Sequence, residues 1–145
     1  LYAGAQLLGG VAGTVVAHAM FGLPLIEAST KLRTGGAQWL SEAVATFGLL
    51  VTILAGLRFE RRAVPWLVGL YITAAYWFTA STSFANPAVA AARALTNSFS
   101  GIRPADLPGF VVAQLAGALC GMVLMEWLLR VPAPAPKPLE AKAHL

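Results

Sequence analysis

The chain has 145 residues, of which 58% are hydrophobic and 11% charged, and its mean hydropathy is +0.71. A water-soluble domain carries roughly 25% charged residues, so this inventory cannot cover a water-facing surface and fits an all-α polytopic membrane protein. The net charge of +4 comes from ten Lys and Arg residues scattered between apolar stretches, which argues against a nucleic-acid face, and the lone Cys120 excludes an intrachain disulfide or a multi-cysteine metal site.

Four stretches have the roughly 20 apolar residues that a bilayer crossing requires. The first runs over residues 1–25, with His18 as its one titratable side chain. Leu1 already lies in this apolar run with no basic segment ahead of it, so it is not a signal peptide, and we read an incomplete chain lacking an N-terminal portion. The second span covers residues 37–57 and carries one acid, Glu42; the third covers 63–83. Then comes Asn86-Pro87-Ala88. Asn favours the N-cap and Pro the first helical position, so a new helix starts at Pro87 straight after an apolar run. In a soluble protein such a pair simply caps a surface helix. Here the hydropathy sets it at membrane depth, where irregular backbone persists only in protein or beside a cavity, and Asn86 becomes a pore or binding-site candidate. The helix expected over 87–99 is about 20 Å long, too short to cross, and suits a re-entrant half-helix. The last span covers 107–129, and the proline-rich segment 130–145 reads as a disordered cytoplasmic tail.

Charge sets the orientation. With the half-helix counted as re-entrant, Arg58, Arg61 and Arg62 fall on the same side as Arg130, Lys137 and Lys142, which the positive-inside rule makes cytoplasmic. The other side holds Lys31, Arg33 and Arg103. An internal echo accompanies this topology. Ala5-Gln6-Leu7 in the first span matches Ala113-Gln114-Leu115 in the fourth, and each is followed by small residues four apart, Gly9 with Gly13 and Gly117 with Gly121. The first span points outward and the fourth inward, which makes the repeat inverted, an arrangement known in transport proteins with broken helices.

With Ala-Gln-x-x-Gly in two spans, an acid between them and Asn-Pro-Ala opening a half-helix, residues 1–129 resemble the C-terminal portion of an aquaporin-family channel. The resemblance implies spans three to six and the second half-helix of a six-span bundle, assembled as a homotetramer with one pore per subunit. It assigns Asn86, Pro87 and Ala88 to the pore motif: the positive helix end repels cations and protons, and Asn86 donates to each passing oxygen. By the same comparison the selectivity filter falls on Ala74, Ser83 and Val89. The chain departs from the pattern at Val89, where an arginine normally follows the motif, and at Ala74, where water-selective members have histidine. Small and apolar filter residues imply a wide pore. Arg93 lies one turn beyond Val89, about 6 Å outward, and either guards the outer vestibule or snorkels to the interface.

Glu42, an intramembrane carboxylate, is a functional candidate. The resemblance makes it the support of the re-entrant loop, accepting its backbone N–H groups; a proton relay would need a second titratable group at that depth. His18 reads as a structural histidine. Trp39, Trp66 and Trp127 read as interfacial anchors, and Tyr76, Trp77 and Phe78 as helix packing or pore lining, with packing preferred. No nucleophile–base pair or metal cluster can be assembled, so no catalysis, metal or cofactor is expected. The reading is a passive channel for water and small uncharged solutes, such as glycerol-like polyols or neutral metalloid hydroxides, in a bacterial inner membrane. A secondary transporter with inverted repeats or a non-conducting membrane scaffold are the rivals; the first would need ion-coupling groups, and the second would fail an osmotic assay.

Overall fold

A computed structural model describes residues 1–130; the expected tail lies outside them except for Arg130. All regular structure among the described residues is helical: α1 (Tyr2–Met20), α2 (Gly36–Phe59), α3 (Val64–Phe78), α4 (Pro87–Arg93) and α5 (Leu107–Leu128). Single 3-10 turns at Arg61–Ala63 and Pro104–Asp106 lead into α3 and α5. Three helices are long and apolar enough to cross a membrane: α1, α2 and α5 with its leading turn.

Side-chain chemistry sets the helix ends. The first expected span, drawn to residue 25, stops at Met20, because Gly22 takes a left-handed φ of 65° and Pro24 follows. The third, drawn over 63–83, yields a helix of 15 residues, roughly 22 Å and short of the ~30 Å hydrocarbon core. It ends where Thr79 turns extended and its hydroxyl bonds back to the Ala75 carbonyl at 2.6 Å. The half-helix, drawn to residue 99, ends at Arg93. The carbonyls that would continue it are taken by other segments: Ile102, Ser29 and Glu27 donate their N–H groups to Arg93, Ala94 and Leu95.

Two parallel pairs carry the packing. α2 and α5 run side by side, with Trp39 over Gly109, Ala43 against Gly117 and Phe47 against Gly121. A Cβ on Gly117 would collide with the Ala43 backbone, so glycine there permits the close approach that drives association in lipid. α1 pairs with α4, where a Cβ on Gly10 would stand 3.0 Å from Ala92 Cβ and the Thr14 hydroxyl reaches the Ala92 carbonyl at 3.4 Å. Gly10 makes this contact, whereas nothing lies within 4 Å of a Cβ built on Gly9 or Gly13. α3 packs antiparallel on α2, with the Tyr71 hydroxyl donating to the Ala45 carbonyl at 2.9 Å.

Gly117→Leu is therefore expected to separate α2 from α5 and cost roughly 1–3 kcal/mol, the usual range for overpacking. A thermal-stability series in detergent measures this; an unchanged midpoint would contradict the packing described.

Candidate functional site: a short helix held from below and above

Residues 79–86 bring the chain from the C-terminal end of α3 back between the other helices. Thr82, Ser83 and Ala85 have φ of 59°, 48° and 48°, left-handed values that cost non-glycine residues about 1–2 kcal/mol each. Glu42 holds this strained stretch in place. It is fully buried, roughly 9 Å along α2 from its N-terminal end. Its Oε2 accepts the Phe84 N–H at 3.2 Å and its Oε1 the Ala85 N–H. Gln114 Nε2 of α5 donates to the same Oε1 at 2.8 Å. One carboxylate thus ties α2 and α5 to the residues just before Asn86.

Asn86 is the N-cap of α4, with extended backbone; its Oδ1 accepts the N–H of Ala88 at 2.8 Å and of Val89 at 3.4 Å. Its Nδ2 donates to Gln6 Oε1 of α1 at 3.4 Å, which leaves that amide's second hydrogen available. Gln6, Asn86, Pro87, Gln114 and Thr46 line a cleft of about 290 Å³ at this end of α4. Gln114 Oε1 is buried there with no hydrogen-bond partner. The carbonyls of Ser83, Phe84 and Ala85 likewise accept no hydrogen bond among the described residues.

A second cleft, of about 590 Å³, lies beside the C-terminal end of α4 between α1 and the segment after α4. Arg93, Thr96, Ser98 and Ser100 form its polar side, and Ala17 and Phe21 are among its apolar residues. His18 sits in its wall, 4% exposed, with Nδ1 against the Pro24 carbonyl and Nε2 2.7 Å from Thr96 Oγ1. The Arg93 guanidinium lies 4.4 Å from the Phe84 ring centroid and 5.6 Å from that of Tyr76, and its Nη1 has no hydrogen-bond partner.

The residues matched to a filter are not equivalent in this structure. Ser83 is buried and its Oγ is unpartnered. Val89 is half-buried against the apolar cluster of Phe84, Ile102 and Phe110. Ala74 lies on the exposed side of α3, and Ala88 is buried under α4. Trp39, Trp66 and Trp127 are exposed, as are Trp77 and Phe78; Tyr76 meets Phe99 edge-on at 6.4 Å and Phe78 meets Tyr71 edge-on at 6.3 Å.

Arg33, which the sequence offered only as one of the outer cations, is a second brace. It lies between α1 and α2 and is 4% exposed. Its guanidinium donates to the carbonyls of Gly101 at 2.7 Å, Ser81 at 2.9 Å and Phe99 at 2.9 Å. Its backbone N–H bonds Asp106 at 2.9 Å, and its Cζ lies 5.1 Å from the Phe84 centroid. Burial first, and the Arg93 cation second, push this guanidinium below its ordinary pKa. No spacing rule would have marked Arg33; its partners are main-chain oxygens from two distant segments.

Over 133 residues, 92% of its length, the chain is 69% identical to aquaglyceroporin AqpS of Rhizobium meliloti (strain 1021), and it spans 57% of that protein. No family model matches the chain, and no solved structure matches it.

Glu42→Gln keeps the shape but puts an NH2 group against one of the two loop N–H donors. Hydrogen bonds to charged groups contribute about 1.5–3 kcal/mol each, so a loss of that order is expected, read as a lower unfolding temperature. A variant as stable as the parent would show that the carboxylate does not hold the loop.

Proposed function

Because the chain belongs to the aquaporin family of membrane proteins, we propose that it contributes to a passive transmembrane channel for water and small uncharged solutes. The observation that carries the proposal is α4, which begins well below the outer ends of α2 and α5, with Asn86 at its positive end and a cleft beside each end. A helix N-terminus carries roughly half a positive charge, which opposes cations and hydrated protons. The free hydrogen of Asn86 Nδ2 can donate to a solute oxygen, and the unpaired carbonyls of Ser83, Phe84 and Ala85 can accept from its hydroxyl hydrogens. Such a path replaces hydration contacts one at a time and needs no covalent step.

Ser83 and Val89 are the filter residues in this reading, with Ala74 contributing only its small size. Apolar or small side chains at these positions leave room for solutes wider than water, such as glycerol-like polyols and neutral metalloid hydroxides. Arg93 guards the outer vestibule, where it lines the larger cleft. The relative is named an aquaglyceroporin, which supports the wide-pore reading. Assembly as a homotetramer follows the family resemblance. A cytoplasmic C-terminus agrees with Arg58 in the last turn of α2 and Arg61, Arg62 and Arg130 beyond that same end of the parallel pair α2 and α5, and a bacterial inner-membrane location follows the family resemblance.

Shrinkage of proteoliposomes containing the full-length protein, in hyperosmotic sucrose and then in glycerol, tests the proposal. Both water and glycerol are expected to cross faster than through protein-free vesicles. Water passage without any larger neutral solute would refute the wide filter. Val89→Arg is expected to slow glycerol by about tenfold or more, equivalent to ~1.4 kcal/mol on the barrier, while water is slowed less. An unaltered solute profile would remove Val89 from the pathway.

A further inference from the structure

Arg33 and Arg93 present an electrostatic problem that the packing does not resolve by pairing. Both guanidiniums lie against one aromatic ring, 5.1 Å and 4.4 Å from the Phe84 centroid. The ion pairs among the described residues are Arg103 with Asp106 at 2.7 Å and Arg130 with Glu126 at 3.7 Å, so neither guanidinium has a carboxylate bound to it. Asp106 meets only the backbone N–H of Arg33. Glu42, beneath the loop, is engaged by Phe84, Ala85 and Gln114. Buried charges are normally paired because desolvation is expensive, and two like charges this close also repel. The chain nevertheless keeps both. Three carbonyls stabilise Arg33 without neutralising it, and the negative face of an aromatic ring attracts a cation. Phe84 is in turn locked by its own N–H on Glu42 and by Phe110 at 5.3 Å.

This charge, offset only in part by the single Glu42 carboxylate beneath, lies above a loop whose filter position holds the uncharged Val89. We propose that Arg33 and Arg93, joined through Phe84, are the charge-specificity residues of the outer end, excluding cations from the pathway in place of an arginine at residue 89. The inference rests on the channel reading above. Arg93 acts at the cleft, where it lines the wall. Arg33 acts from behind Phe84, adding a second positive charge in a low-dielectric setting that focuses its field toward the mouth. It also fixes Ser81 and Phe99, so the ring and the Arg93 head cannot drift apart. Two positive charges from separate segments thus take up a task for which a single side chain would suffice.

The test measures sodium and guanidinium currents in planar bilayers, and glycerol flux in proteoliposomes, for the full-length protein and three variants. The parent should carry glycerol and no cation current above the lipid background. R33Q/R93Q should raise cation current about tenfold or more, as expected for removing fixed charge from a low-dielectric mouth, while glycerol flux stays above that of protein-free vesicles. R33K/R93K, which keeps charge but loses the planar fork, should restore cation exclusion. Should the double Gln variant not fold, R93Q alone decides, because its Nη1 makes no bond whose loss would unfold the protein; cation current should rise severalfold. A glycerol-permeable Gln variant with parental cation current overturns the inference, as does leakage in R33K/R93K equal to that of R33Q/R93Q. A parent that carries no glycerol overturns the channel reading instead.

Discussion

The site depends on one fully buried carboxylate. Glu42 takes two backbone N–H groups from a stretch of left-handed residues and a side-chain amide from α5. A charged acceptor in low dielectric is worth far more than a neutral one, and three residues in the left-handed region need compensation on that scale. Without this anchor the loop has no reason to descend between the helices, and Asn86 no reason to open a helix there. The position of α4 follows from an electrostatic bond on α2 more than from its own seven residues, which are too few to be stable alone.

The outer side is stabilised by a different chemistry. Main-chain carbonyls at the end of α4 are paired with N–H groups from the α1–α2 connection and from Ile102, and Arg33 gathers three more carbonyls from both flanks of the helix. Glu42 satisfies donors from below and Arg33 satisfies acceptors from above. The segment leading into α4 is thus clamped between opposite charges, with Phe84 the residue common to both. The small residues of α4, with Ala88, Ala90 and Ala92 buried, let this clamp close without bulk.

Much of this was legible from the residues. Long apolar runs mark α1, α2 and α5, and Asn86-Pro87 marks the start of α4, since capping chemistry is local. The isolated acid in an apolar span pointed to Glu42 because an unpaired carboxylate in lipid demands partners. The helix ends at Phe78 and Arg93 were not legible. The end at Arg93 is set by the N–H groups of Ile102, Ser29 and Glu27 on the carbonyls of Arg93, Ala94 and Leu95, which no local propensity contains, and the end at Phe78 by the turn to extended backbone at Thr79. Arg33 was hidden for the same reason: a cation satisfied by carbonyls leaves no charge partner in the sequence.

The bonds from Glu27 and Ser29 to the carbonyls of Leu95 and Ala94 carry a consequence for how such a protein can diverge. They stitch a surface connection, usually the most tolerant part of a fold, directly to the stretch between Arg93 and Thr96, two residues that line the larger cleft. In the proposed channel, an insertion or deletion in that connection would pull on the stitch and retune the aperture without touching any residue that a solute meets. Selectivity there would drift through loop length alone, and two such channels with identical linings need not sieve alike.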